Sequence, residues 1–98
     1  MIVVAKLKAC SGKELEMENA LREMISKVEQ EEGTLAYTLH RATNDPTVFL
    51  FYEKYKDKAA FEYHSSTPYF QELFAAIGPI LDGQPSIEMY EELAAITS

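Results

Sequence analysis

The sequence predicts an α+β sandwich with the ferredoxin-like order βαββαβ, an antiparallel sheet carrying its helices on one face. Apolar side chains alternate with period two from Ile2 to Ala9 and from Thr34 to Arg41, two further segments read as strands, and apolar residues recur at helical spacing in the regions between. One strand segment, Thr47-Val48-Phe49-Leu50-Phe51-Tyr52-Glu53-Lys54-Tyr55, is apolar on both faces. Right-handed crossovers send both helical regions to the same side of the sheet, so the second oily face, with Val48, Leu50 and Tyr52, needs another cover. A monomer seldom leaves several hundred Å² of contiguous apolar surface in water, so the expected cover is a second copy of the chain, giving a homodimer with sheet facing sheet.

Each element has its own local justification. From Ile2 to Ala9 the side chains of Val3, Ala5, Leu7 and Ala9 share one face, and Lys6 and Lys8 point the other way. The period then changes. Ser11-Gly12-Lys13-Glu14 has the spacing of a capping box, and Met17, Leu21, Met24 and Val28, widened by Ala20 and Ile25, form the buried stripe of a long helix. Gly33 fits a left-handed residue that stops it. The acidic run Glu29, Glu31, Glu32 reads as a solvated helix end. Thr34 to Arg41 alternates again, with Leu35, Tyr37 and Leu39 set against Ala36, Thr38 and His40, and Asn44-Asp45-Pro46 turns the chain into the doubly apolar strand. Asp57 caps a short helix running through Phe61 to His64, and Thr67-Pro68 supplies a cap and a first-turn proline for another, bearing Tyr69, Phe70, Leu73, Phe74 and Ile77. Gly78-Pro79 and Gly83-Gln84-Pro85 end the helical region, and Ser86 to Leu93 forms the last strand.

Composition narrows the function. At 98 residues, 47% of them hydrophobic, and with no Pro-rich, Gly-rich or repetitive stretch to divide it, the chain is one domain spanning residues 1–98. A net charge of −7 and scattered basic residues argue against nucleic acid or an anionic membrane as partner. Lys6 and Lys8 interrupt the apolar start before a signal-peptide core or a membrane span could form, so a soluble, unprocessed protein is expected. Cys10 is the single cysteine, which excludes an internal disulfide and a cysteine cage for metal, suits a cytoplasmic location, and reads as an inert thiol.

One acid breaks the pattern. Glu53 shares a strand face with Phe49, Phe51 and Tyr55, where a buried or pocket-lining residue is expected.

In order along the chain, Tyr37-Thr38-Leu39-His40-Arg41, Asn44-Asp45-Pro46, Phe51-Tyr52-Glu53-Lys54-Tyr55, Phe61-Glu62-Tyr63-His64 and Ser66-Thr67-Pro68-Tyr69-Phe70 resemble the antibiotic biosynthesis monooxygenase family. The likeness covers nearly the whole chain. It implies a dimeric α/β barrel of ferredoxin-like subunits. Through the quinol monooxygenase-like subgroup it also implies a cofactor-independent monooxygenase with neither metal nor organic cofactor. The aromatic after Glu53, often Trp in relatives, is Tyr55, the chain has no Trp, and the first strand has no Asn, so the resemblance does not extend to haem-degrading members.

That chemistry asks little of a protein. A quinol or phenol reacts readily with O2 only as its electron-rich anion, so the enzyme must remove a proton and hold the anion in an apolar cavity. His64 is the candidate base, with Glu53 as the carboxylate that would orient it. Tyr37, His40, Phe51, Tyr55, Phe61, Tyr69 and Phe70 are candidates for binding the small aromatic substrate. Plainer readings stand beside these: His64 as a helix-end cap, Glu53 as a structural ion-pair partner, His40 as a dimer-face or surface residue, and the aromatics as core. An isomerase or other non-oxidative enzyme acting on a small carbonyl compound would use the same base and acid, and a non-catalytic dimeric ligand-binding module would keep the pocket without turnover.

Overall fold

The structure is a computed structural model and describes residues 1–96. Its elements are β1 (Ile2–Lys8), α1 (Glu14–Val28), β2 (Thr34–Arg41), β3 (Val48–Tyr55), α2 (Lys58–Ser66), α3 (Pro68–Ile77) and β4 (Ser86–Tyr90), with a 3-10 turn at Gly78–Ile80. The sheet order is β2-β3-β1-β4 with every pairing antiparallel, the ferredoxin-like α+β arrangement expected from the sequence.

The strand pleat decides what is buried. Val3, Ala5 and Leu7 of β1 lie opposite Glu53, Phe51 and Phe49 of β3, and all six are buried beneath the helices. Met17, Leu21, Met24 and Val28 of α1 close over them, every one buried. On the other face Val4, Lys6 and Lys8 lie opposite Tyr52, Leu50 and Val48. Those three β3 residues are only half-buried, so the strand is enclosed on one side and half-covered on the other.

The break between α2 and α3 is written into two residues. Pro68 has no N–H to continue α2 and pushes the preceding residue into extended conformation, and Thr67 duly has ψ 150°. Thr67 ends one helix and starts the next. Its Oγ1 donates to the carbonyl of His64 at 2.8 Å and accepts from the N–H of Phe70 at 3.3 Å. Asp57 accepts from the N–H of Ala60 at 2.8 Å, the expected cap of α2. At Asn44-Asp45-Pro46 the Asp45 carboxylate takes both the N–H and the hydroxyl of Thr47, fixing the turn into β3.

Several local expectations are corrected. Only half of the capping box forms: Glu14 reaches back, but to the N–H of Gly12, and the first helical turn has no side-chain cap. The left-handed glycine at this end of the chain is Gly12, with φ 87°, and Gly33 has no positive φ. Gly33 is needed for space instead, because a Cβ there would come within 2.4 Å of the Ala60 Cβ. Leu35 does not share the inner face with Tyr37 and Leu39. Thr34 pairs with Tyr55 and Ala36 with Lys54, which makes Leu35 the extra residue of a β-bulge and leaves it exposed. The last strand stops at Tyr90 rather than Leu93, and as an edge strand it is exposed throughout.

Candidate active site

Between the sheet and α2–α3 lies a cavity of about 200 Å³. Its floor is Val3, Ala5, Leu7, Phe51, Glu53 and Tyr37 from the strands. Its roof is Phe61, His64, Phe70, Leu73 and Phe74 from the two helices, and Ile87 of β4 stands at its edge.

His64 sits on the last turn of α2 and is 1% exposed. Its ring bonds the Glu31 carboxylate rather than a helix-end carbonyl, and the imidazole turns inward among Tyr37, Tyr55 and Phe70, with ring centroids 5.3–5.5 Å away. Its carboxylate partner is Glu31, not Glu53. His64 Nδ1 lies 3.1 Å from Glu31 Oε2 and 3.2 Å from Oε1. A neutral ring that donates to the carboxylate through Nδ1 has Nε2 as its acceptor nitrogen. Among the described residues no fully buried side-chain nitrogen or oxygen lacks a partner, and Nε2 has no protein partner. The unprotonated nitrogen therefore adjoins the open space that His64 lines.

Glu31 is the buried carboxylate of this cluster that sequence reasoning missed. Far from solvated, it is 6% exposed and receives hydrogen bonds from Thr34 Oγ1 at 3.0 Å and from the Tyr69 hydroxyl, besides holding His64. Three donors converge on one buried carboxylate, as burial of that charge requires. Burial and the neighbouring carboxylate push the Tyr69 hydroxyl up to about 12, so it stays a donor. The segment reaches α2 because Gly33 has no side chain to hold Ala60 away, and the N–H of Lys56 donates to the Gly33 carbonyl at 2.8 Å. The one sequence signal available was Gly33 two residues after an acid, which a helix-stop reading absorbed.

Glu53 is 4% exposed on the cavity floor. Desolvation raises its carboxyl to about 7, the hydrogen bond from the Tyr55 hydroxyl at 2.5 Å pulls it back somewhat, and the Glu31 charge pushes it up further. Near neutral pH it is therefore divided between acid and anion. Tyr37 and Tyr55 are raised well above the ordinary phenol range, chiefly by burial, so both remain protonated.

Of the candidate substrate contacts, Tyr37, Phe51, Phe61 and Phe70 line the cavity, with Tyr37 stacked on Phe51 at 4.5 Å. Tyr55 backs the wall, its ring against Phe61 and His64. Tyr69 lies behind His64 on Glu31 rather than in the cavity wall. His40 is not in the cavity: it pairs with Leu50 on the opposite sheet face, is exposed, and approaches the Leu50 carbonyl at 3.3 Å through Nδ1. Among the described residues no group of three His, Cys, Asp or Glu side chains could hold a metal ion, and no helix is long and apolar enough to cross a membrane.

A ferredoxin-like sheet is roofed by helices over an apolar cavity, with a carboxylate-held imidazole in its wall. The family model described as antibiotic biosynthesis monooxygenase matches residues 1–76, and the chain belongs to that family. It is similar to YcnE of Bacillus subtilis, 29% identical over 94 residues that cover 96% of this chain and 98% of that protein. It is also similar to the crystal structure of PA3566 from Pseudomonas aeruginosa, with a TM-score of 0.88 and 28% identity over 95% of this chain and 93% of that one. To sll1783 of Synechocystis it is 26% identical over 91 residues, spanning 93% of this chain but only 62% of that protein.

Proposed function

We propose that the cavity oxidises a small quinol or phenol with O2, without metal or organic cofactor, in the manner of quinol monooxygenases. The observation that carries this reading is the imidazole of His64, oriented by Glu31 so that its lone pair is left to a ligand. Membership of the family and the name of YcnE, which proposes a monooxygenase, support the reaction type.

His64 Nε2 takes the proton of the substrate hydroxyl, and Glu31 stabilises the imidazolium that results. The aromatic anion then passes one electron to O2, and the aryloxyl radical and superoxide combine at a ring carbon to give a peroxide. Glu53, protonated part of the time near pH 7, supplies a proton to that peroxide. Breaking of the O–O bond with loss of the ring hydrogen releases water and leaves the quinone, so one oxygen atom enters product and the other leaves as water. The apolar walls keep bulk water from the intermediates. The subunit assembles as a homodimer through the face bearing Val48, Leu50 and Tyr52, which the helices leave half-covered.

The test is oxygen uptake with a panel of one- and two-ring quinols, with 18O2 followed into product. One labelled atom per product, and loss of about 10² or more of the rate in H64A, is expected. Proton exchange or isomerisation of a carbonyl compound without oxygen uptake would replace this reading with the non-oxidative one. Binding without any turnover would replace it with a ligand-binding module.

A further inference from the structure

Glu31, its side chain only 3% exposed, also borders a second space. With Gln30, Glu32, Gly33, Ala60 and Tyr63 it lines a recess of about 410 Å³ on the outside of α2, separate from the cavity. The cavity wall contains His64 but none of those recess residues, and the recess wall contains Glu31 but none of the cavity residues. The hydrogen-bonded pair His64–Glu31 is the polar link between them. The cavity offers a proton little else: its remaining ionisable groups are Glu53, whose bonded partner Tyr55 is itself buried, and Tyr37, held protonated.

We propose that Glu31 is a positioning residue that also carries protons, joining His64 to bulk solvent through the outer recess. The use of the route in turnover rests on the reaction proposed above, but its existence does not. When the substrate O–H gives its proton to Nε2, the N–H bond at Nδ1 breaks toward the Glu31 carboxylate, and the carboxylic acid so formed releases that proton to solvent in the recess. The reverse sequence returns a proton to Nδ1 while Nε2 gives its own to the hydroxide that leaves as the O–O bond breaks, and the Glu53 carboxylate, having protonated the peroxide, takes up the ring hydrogen as a proton, so both groups are restored and no net proton is consumed. Tyr69 and Thr34, which donate to the same carboxylate, hold it in line with the imidazole without carrying the proton themselves. The arrangement lets the cavity exchange protons while substrate seals its mouth.

Two measurements on the full chain test this. In ligand-free protein labelled with 15N histidine, the His64 ring is expected as the Nδ1–H tautomer, with its proton exchanging with water about an order of magnitude more slowly in E31Q, which can hold the ring but cannot relay a proton. Equal exchange in E31Q and wild type would overturn the conduit. In the second, E31A shortens the side chain beside the recess, and its lost oxygen uptake is expected to return in proportion to added formate, with no such rescue of H64A. A folded E31A that formate does not revive would reduce Glu31 to a structural role and overturn the proposal. If the wild type takes up no oxygen with any quinol, the reaction is wrong and the exchange measurement alone decides the route.

Discussion

His64 Nδ1 lies 3.1 Å from Glu31 Oε2 across a sequence separation of 33 residues, joining the chain entering β2 to the last turn of α2. Neither side chain is more than 3% exposed. A carboxylate buried this far is held by its partners, so the pair ties the cavity wall at His64 to the docking of α2 on the sheet.

That coupling has a measurable size. E31A would strand the Tyr69 and Thr34 hydroxyls and the imidazole, and is expected to cost about 3–5 kcal/mol in urea unfolding at neutral pH. E31Q, which keeps an acceptor, should cost visibly less. A loss below about 1 kcal/mol for E31A would mean that the cluster does not hold α2 in place.

Gly33 should be intolerant of any side chain. G33A places a Cβ 2.4 Å from that of Ala60, so α2 and the start of β2 must separate. The expected cost is about 1–3 kcal/mol, and the tautomeric order of His64 should blur because Glu31 lies two residues away. A G33A protein with unchanged stability and an unchanged 15N spectrum at His64 would show that the close approach is not needed.

Glu53 gives stability a pH signature. Its folded carboxyl is raised to about 7 from an ordinary value of 4.5, so the native state keeps a proton that the unfolded chain loses between those values. Stability from this group is therefore complete below pH 4.5, falls as pH rises toward 7, and is gone above it, a swing of about 3 kcal/mol. E53Q, which never ionises and can still accept from Tyr55, should match wild type near pH 4.5 and exceed it at pH 8. Parallel urea titrations at the two pH values check this, and equal differences at both would refute the raised carboxyl.

The half-covered sheet face makes its own prediction. L50D puts a charge in the middle of the proposed dimer seam, and light scattering at micromolar concentration should find wild type at twice the chain mass and the variant at one chain mass. A wild-type protein that stays monomeric would remove the seam and leave the cavity untouched.

How much of this was legible depended on distance along the chain. The two faces of β3, the stripe of α1 and the caps at Asp57 and Thr67 were readable because each is decided within a few residues by strand pleat, helical period or a side chain reaching its own backbone. Glu53 was legible for the same reason, as an acid on an apolar face. Glu31 was not. Three acids at a helix end look solvated, and only the arrival of α2 buries one of them and leaves Glu29 and Glu32 in water. The bulge at Leu35 and the outward placement of His40 were hidden likewise, since strand register is settled by the partner strand. Gly33 misled because a glycine after a helix has two uses, left-handed conformation and close approach, and the sequence alone does not say which.

Ile87 stands at the rim of the cavity on a five-residue edge strand and is itself 45% exposed. Its neighbours on β4 pair along one side only, with β1, so a change of side-chain bulk at position 87 meets solvent rather than packed core. In the proposed reaction, selectivity for ring size would thereby be separated from the groups on α2 and β3. A lineage could widen or narrow the aperture one substitution at a time while the imidazole, its carboxylate and the fold stayed as they are, which makes this position the natural dial for divergence among close homologues.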